Sequence, residues 1–248
     1  AMNRFLCFFT PQRLWRAAFL LLTPVTAVWL MQFTYGASPW SMGLGPTLAN
    51  ALCTAGAFWL LCALTGHIAF STVAVHLAAG VWGAANWFIH SFRGTPILPW
   101  DLSALDTALD VAGSYRFTPT WQMLAAVALA AALVVFLHPE KHKARLRLTG
   151  TRRPLRLVCL GAGLACLLLL FPTGRLERFG VKTDVWDPAG SYRAGGCLAV
   201  FLRNTEFLEV EEPEDAGPER LEQIMAGVEP PEPAAVSVER PNIVAIMN

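Results

Sequence analysis

Apolar residues form long runs over the first two thirds of the chain, and polar residues lie mainly in the connections between these runs. The runs cover about residues 17–33, 47–64, 68–89, 120–137 and 157–171. Four of them reach the length of a bilayer-crossing helix, about 17–25 residues. The fifth is the shortest, so arginines at its start would have to extend to the interface. The pattern predicts an all-α membrane protein whose five transmembrane helices lie within residues 1–171.

The connection after the third run is apolar on one side only. Four leucines recur there at helical spacing, and Ser103, Asp106, Thr107 and Asp110 lie on the opposite side. The leucines are Leu98, Leu102, Leu105 and Leu109. This pattern predicts an amphipathic helix over about residues 99–112 on the membrane surface. Asp101 is its expected N-cap, and Trp100 is expected at the level of the lipid headgroups.

Three further segments follow the fifth run. Residues 172–208 are a juxtamembrane segment in which Gly195 and Gly196 interrupt a possible membrane-edge helix. Residues 209–240 are predicted to be an extended linker, because eleven acidic residues and several prolines lie between Glu206 and Glu239. A small helix at 218–225 is the expected exception. The final stretch, RPNIVAIMN, has the composition of a buried strand that opens a further domain, so 241–248 is assigned to it.

Charged residues are strongly segregated along the chain. No Lys, Arg, Asp or Glu lies between Arg16 and Arg93, whereas the connection between the fourth and fifth runs contains seven Lys or Arg. Because basic loops resist translocation, this connection and the N-terminus are predicted to be cytoplasmic, and residues after Phe171 extracellular. The net charge of +1 sums separate basic and acidic populations and gives no reason to expect a nucleic-acid partner.

One face of the third predicted helix carries small and polar residues. They are His76, Ala79, Gly83, Asn86, His90 and Arg93. Polar groups are costly in lipid, so this stripe is expected to face protein or a wet cavity. Two interpretations remain open: helix packing with an interfacial arginine, or a groove for a lipid headgroup near Arg93. The candidate headgroup residues are Asn86, His90, Arg93, Trp100 and Arg116.

No motif in the chain forms a complete catalytic or cofactor site, so no catalytic residue or metal ligand is assigned. His138 and His142 are four residues apart, but Pro139 would break the helix that a metal site of this spacing needs. A solvated loop is therefore favoured there. Transport is disfavoured as well, because the five runs contain no carboxylate, no lysine and no pair of broken helices in repeated positions.

Three stretches carry a resemblance to a known family. They are FRGTPILPWDLSALDTALDVAGSY, WDPAGSYRAGGCLAVFLRNTEFLEVEEPE and RPNIVAIMN. Together they resemble the membrane part of lipoteichoic acid synthase-like proteins, which belong to the sulfatase-like alkaline phosphatase superfamily. The resemblance covers most of the chain from about Trp87 onward. Residues 241–248 are similar to the family's first catalytic strand, which is usually followed by a glutamate that the chain does not contain.

This resemblance implies that the chain is the membrane-anchoring and lipid-positioning part of a phosphoglycerol transferase in the bacterial cell membrane. In the family, a threonine takes the phosphoglycerol group of phosphatidylglycerol beside a Mn²⁺-type ion. Both belong to an external catalytic domain, expected beyond residue 248. Its partners would be membrane lipids and that domain. Alternatives are a phosphoethanolamine transferase, a transferase that decorates another glycan, and a non-catalytic lipid-binding scaffold.

Overall fold

The computed structural model describes residues 11–104, 106, 110, 113, 116–139, 142, 144, 146–148, 153–208 and 217–227. The chain divides into two compact units, residues 1–209 and residues 210–248, which are described separately. In the described residues the structure is helical and contains no strand, apart from one isolated antiparallel bridge between His67 and Arg147. The strand predicted at 241–248 and most of the predicted linker lie outside the described residues.

Each of the five apolar runs lies within or largely overlaps one long helix. These helices are α1 (Pro11–Thr34), α2 (Leu44–Thr65), α3 (Ile68–Arg93), α4 (Trp121–Leu137) and α5 (Arg153–Leu170). By length and composition, α1, α2 and α3 could each cross a membrane. A fourth candidate is α5 together with the 3₁₀ helix Thr173–Phe179, which follows at a bend of 86°. Helix α4 is apolar but has 17 residues, so the described chain contains three to four candidate spans.

Glycine and threonine mark the ends of these helices. Gly66 and Gly94 end α2 and α3 with φ of 70° and 79°, a left-handed conformation that glycine adopts without steric cost. Their N–H groups donate to the carbonyls of Cys62 and His90. At the start of α4, the Thr120 side chain accepts from the N–H of Met123. These local signals explain why the helices stop close to the predicted boundaries.

Close backbone approaches hold the long helices together. A Cβ atom on Gly83 of α3 would overlap Thr34 Oγ1 and the Met31 carbonyl of α1. A Cβ atom on Gly163 of α5 would lie 3.0 Å from the Gly56 carbonyl oxygen of α2. Small residues at such crossings let backbones approach and maximise packing, which is the main attraction between helices in lipid. The inner residues of the polar stripe on α3 are therefore packing residues: His76, Ala79, Gly83 and Asn86 are all buried.

The described residues of the connection between α4 and α5 pack at the end of the bundle where α2 ends and α3 begins, called here the basic-loop end. Leu148 N donates to Gly66 O at 2.7 Å, and Ile68 N donates to Leu146 O at 3.1 Å. His142 Nδ1 pairs with Phe136 O at 2.7 Å, and its ring stacks near Trp15. His142 therefore takes part in packing. No group of His, Cys, Asp or Glu suited to a metal ion occurs in the described residues.

The segment after α5 is more deeply buried than a membrane-edge helix would be. It contains α6 (Pro188–Gly195) and α7 (Cys197–Arg203), followed by the 3₁₀ helix Asn204–Leu208. The predicted break occurs at Gly196, with φ of 86°. We call α6 and α7 the cap, because their buried side chains close the end of the bundle opposite the basic-loop end, here named the capped end. These side chains are those of Tyr192, Cys197, Ala199 and Val200.

The amphipathic helix predicted at 99–112 begins differently from expectation. Pro99–Ala104 form a 3₁₀ helix, and Asp101 lies inside it, where its carboxylate accepts from the N–H of Leu98. Asp101 is therefore not the N-cap of an α-helix. Beyond Ala104, only Asp106, Asp110 and Gly113 of this segment are described, and both aspartates are helical. In the second unit, α8 (Pro218–Ala226) confirms the small helix predicted at 218–225.

Candidate functional site

Gln32 on α1 fixes the cap to the bundle. Its side chain is fully buried, and Nε2 donates to the carbonyls of Tyr192 at 2.9 Å and Arg193 at 3.2 Å. Its Oε1 accepts from the N–H of Cys197 at 3.3 Å. One amide therefore satisfies backbone groups on both sides of the break at Gly196, where the ordinary helical bonds are interrupted.

Asn50 on α2 provides a second amide of the same kind. Its Nδ2 donates to Gly195 O at 2.7 Å, and its Oδ1 accepts from Ala199 N at 2.9 Å. A Cβ atom on Gly196 would overlap this amide. Glycine is therefore required at the break both for its positive φ and for the space that Asn50 occupies. Together the two amides make the cap a fixed part of the bundle.

Asn86, one of the predicted headgroup residues, is fully buried and has a structural role. Its Nδ2 donates to Trp82 O at 2.9 Å, and its Oδ1 accepts from Ile97 N at 3.0 Å. The hydroxyl of Tyr192 donates to Ile97 O at 2.6 Å, so the same loop is tied to the cap. Burial raises the pKa of Tyr192, which keeps the phenol neutral and able to donate. Asn86 thus positions the loop after α3, with both polar atoms of its side chain bonded within the protein.

Arg93, the second candidate, forms a clamp with Asp101. Arg93 Nη1 lies 2.9 Å from Asp101 Oδ1, and Arg93 Nη2 lies 2.5 Å from Asp101 Oδ2. Arg93 Nη2 also donates to Pro96 O at 2.6 Å. This bidentate pair closes the turn after α3. The Arg93 side chain is 36% exposed, but a neighbouring carboxylate offsets its charge.

His90, the third candidate, lies in a cluster with Tyr35 and Arg193 that we call the rim cluster. Its Nε2 lies 3.5 Å from Arg193 Nη2, and its ring centroid lies 5.9 Å from that of Tyr35. The Tyr35 hydroxyl and His90 Nδ1 are buried without a hydrogen-bond partner among the described residues. Buried polar atoms normally have partners, so these two could bind a water or a ligand oxygen. Exposed Arg193 adds positive charge beside them.

The other two candidates, Trp100 and Arg116, are not part of the rim cluster. Trp100, 38% exposed, lies in the 3₁₀ helix Pro99–Ala104. Arg116 is exposed in the extended stretch that leads into α4. The structure therefore separates the five predicted residues: Asn86 and Arg93 shape the loop after α3, His90 joins the rim cluster, and Trp100 and Arg116 lie on exposed connections.

The sequence prediction missed four residues that organise the capped end: Gln32, Asn50, Tyr35 and Arg193. A signal was present for the first two, because an uncharged amide inside an apolar run must find a hydrogen-bond partner within the protein. Tyr35 and Arg193 are 158 positions apart, and the sequence contains no local pattern that pairs them.

No family model, no curated protein and no solved structure matches this chain. The arrangement at the capped end can bind and orient a polar group. The described residues contain no group that could hold a Mn²⁺-type ion.

Proposed function

We propose that this chain is the membrane-anchoring and substrate-positioning domain of a lipoteichoic acid synthase-like phosphoglycerol transferase. The resemblance of the three sequence stretches supports this proposal, and the rim cluster at the capped end is the observation that carries it. In the proposal, phosphatidylglycerol is held at the capped end while a catalytic domain attached after the linker acts on its headgroup. Such tethering raises the effective concentration of the two reactants.

The proposed topology has five spans, with the N-terminus in the cytoplasm and the cap outside. Five Lys or Arg in the connection between α4 and α5, together with Arg153 and Arg156 in the first turn of α5, support this orientation. Helix α4, with 17 residues, lies at the lower limit of about 17–25 residues for a span. In this arrangement the fixed cap faces the outer leaflet and connects α5 to the acidic linker.

The rim cluster is proposed to contact the anionic headgroup. Three features support this: the unpartnered Tyr35 hydroxyl, the unpartnered His90 nitrogen and the exposed Arg193 guanidinium. Hydrogen-bond donors beside a guanidinium suit a phosphate oxygen. Arg93 is a weaker choice for this role because Asp101 already offsets its charge.

The test is lipid turnover by the protein expressed from its complete reading frame, in vesicles containing radiolabelled phosphatidylglycerol or phosphatidylethanolamine. Transfer of phosphoglycerol to a hydroxyl breaks the bond between phosphorus and the diacylglycerol oxygen, so diacylglycerol is the expected product. Its formation from phosphatidylglycerol supports the proposal. Formation from phosphatidylethanolamine favours the phosphoethanolamine alternative, and absence of turnover favours the non-catalytic scaffold.

A matched pair of variants tests the rim cluster itself. Arg193→Gln should lower the turnover of phosphatidylglycerol about fivefold, because one basic group near an anionic membrane surface contributes about 1 kcal/mol. Arg178→Gln removes an exposed arginine of the 3₁₀ helix Thr173–Phe179 and should leave turnover unchanged. Equal effects of the two substitutions would contradict a specific role for Arg193.

A further inference from the structure

Helices α3 and α4, together with Leu30 of α1, line an apolar groove of about 320 Å³. Its walls include Leu77, Gly80 and Ala84 of α3 and Met123, Val127 and Ala130 of α4. Small side chains on both walls leave this space open. The volume lies at the lower end of the range for small-molecule sites, about 300–1,000 Å³.

His76 is the most polar residue in the lining of the groove, and both of its ring nitrogens already have partners. Nδ1 pairs with Thr72 O at 2.8 Å, and Nε2 lies 3.0 Å from Thr26 Oγ1. A polar ligand would therefore find no unsatisfied histidine nitrogen in the groove. The occupant that suits these walls is a hydrocarbon chain.

The mouth of the groove is aromatic and lies next to a positively charged residue in the sequence. Phe117 and Pro119 line it at the start of α4, and the Phe117 ring lies 5.1 Å from that of Phe88 on α3. The residue directly before Phe117 is Arg116, which is exposed. A positive charge therefore lies one residue from an aromatic entrance to an apolar groove, which complements a molecule with a hydrocarbon tail and an anionic head.

We infer that the groove between α3 and α4 binds one acyl chain of an anionic glycerophospholipid, with the lipid phosphate at Arg116. The inference rests on the proposed function in that it takes α3 and α4 to lie within the bilayer. The inferred lipid site shares no residue with the rim cluster, and Arg116 belongs to this second site. A bound lipid here would be held beside α3, close to where α3 packs against α1.

The two parts of the site have different effects on selectivity. Lipid tails are as apolar as the groove, so the groove distinguishes lipids by packing and not by a hydrophobic driving force. Arg116 distinguishes headgroups by charge, because it attracts a net anionic lipid more than a zwitterionic one. Filling the groove should therefore reduce binding of every lipid, whereas neutralising Arg116 should reduce only the preference for anionic lipid.

The experiment uses the 248-residue chain in vesicles of phosphatidylcholine that contain a small fraction of photoactivatable phosphatidylglycerol with a diazirine in its acyl chain. Crosslinked peptides are mapped by mass spectrometry. We expect labelling on the groove-lining parts of α3 and α4. Ala130→Phe, which fills the groove, should reduce this labelling about tenfold, the factor that corresponds to about 1.4 kcal/mol. Ala128→Phe, at an exposed position of the same helix, is the matched control and should leave the labelling unchanged.

Arg116→Gln should lower the preference for phosphatidylglycerol over an equivalent phosphatidylcholine probe about fivefold, while Arg178→Gln leaves it unchanged. Excess inorganic phosphate should not compete, because it cannot occupy an apolar groove; competition would overturn the lipid assignment. Equal labelling in Ala130→Phe and Ala128→Phe would overturn the groove. Turnover of phosphatidylglycerol by the complete protein would still be measurable then, so the inference and the proposed function can fail separately.

Discussion

Two glycines of α3 that lie about one helical turn apart differ sharply in their surroundings. A Cβ atom on Gly83 would overlap Thr34 Oγ1 and the Met31 carbonyl of α1. A Cβ atom on Gly80, which lines the groove beside α4, would have Leu30 Cδ2 of α1 at 3.9 Å as its nearest neighbour. Glycine thus brings two backbones into contact at one position and lines an open groove at the other.

Beyond Gly83, toward the cap, polar side chains complete the packing. Gln32 and Asn50 satisfy the backbone across the break between α6 and α7, and Asn86 holds the loop after α3. A buried network of this kind favours one arrangement, because any displacement leaves polar groups without partners. The groove beside Gly80 is lined mainly by apolar side chains. One helix therefore carries both a fixed polar network and an open apolar groove.

The largest effect is expected from Gln32→Leu. It removes one hydrogen bond from each of the Tyr192 and Arg193 carbonyls, which keep Gly196 N–H and Ser41 Oγ as partners, at about 1 kcal/mol each. It also leaves the buried Cys197 N–H without its acceptor, which costs about 1–3 kcal/mol more. The free energy of unfolding in detergent should fall by about 3 kcal/mol or more. Gln122→Leu, at a half-buried position of α4, is the matched control and should change the free energy of unfolding by about 0.5 kcal/mol or less.

Thiol labelling of Cys197 gives this prediction a local measurement. Cys197 is a free, fully buried cysteine, and burial raises the pKa of its thiol. At neutral pH it should therefore react slowly with a polar maleimide in the parent protein. In Gln32→Leu, mass spectrometry should find it labelled much faster, because the cap opens. A loss of stability without faster labelling of Cys197 would mean that the cap remains closed.

The second prediction compares the two glycines of α3 directly. Gly83→Ala should destabilise the protein by about 1–3 kcal/mol, the usual cost of inserting a methyl group into a packed contact. Gly80→Ala should be neutral or slightly stabilising, because alanine is favoured over glycine in a helix by about 1 kcal/mol. Thermal unfolding of both variants in the same detergent is the measurement. Similar losses for both would show that the space around Gly80 is as tightly packed as that around Gly83.

The helices of this protein could be predicted from sequence because each depends on a local pattern. The apolar runs locate each of the five long helices, although α1 and α5 begin six and four residues before their runs, and α8 agrees with the helix predicted at 218–225. The number of membrane spans is harder to predict from sequence, because it depends on α4. The 17 residues of α4 are near the minimum length for a helix that crosses a bilayer.

The candidate site could be predicted only in part, since its contacts join distant positions. Gln32 and Tyr192 are paired across 160 positions, and no periodicity relates them. Spacing on α3 correctly grouped Asn86, His90 and Arg93 near one end. Spacing could not distinguish their roles, because residues outside α3 decide them. The buried Asn86 amide bonds to Ile97, and the Arg93 guanidinium pairs with Asp101. The His90 imidazole, which has an unpartnered nitrogen, lies beside Tyr35.

The smallest expected change in stability comes from substituting two tyrosines at the capped end. Tyr192→Phe removes the hydroxyl that donates to Ile97 O at 2.6 Å and should lower the free energy of unfolding by about 1 kcal/mol. Tyr35→Phe removes a buried hydroxyl that has no hydrogen-bond partner among the described residues. It should therefore leave stability unchanged or raise it slightly, because no bond is lost and a buried polar group is removed. Chemical denaturation of both variants measures the difference. A loss for Tyr35→Phe as large as that for Tyr192→Phe would show that the Tyr35 hydroxyl already has a partner in the free protein, such as a bound water, and that the rim cluster is satisfied before any headgroup arrives.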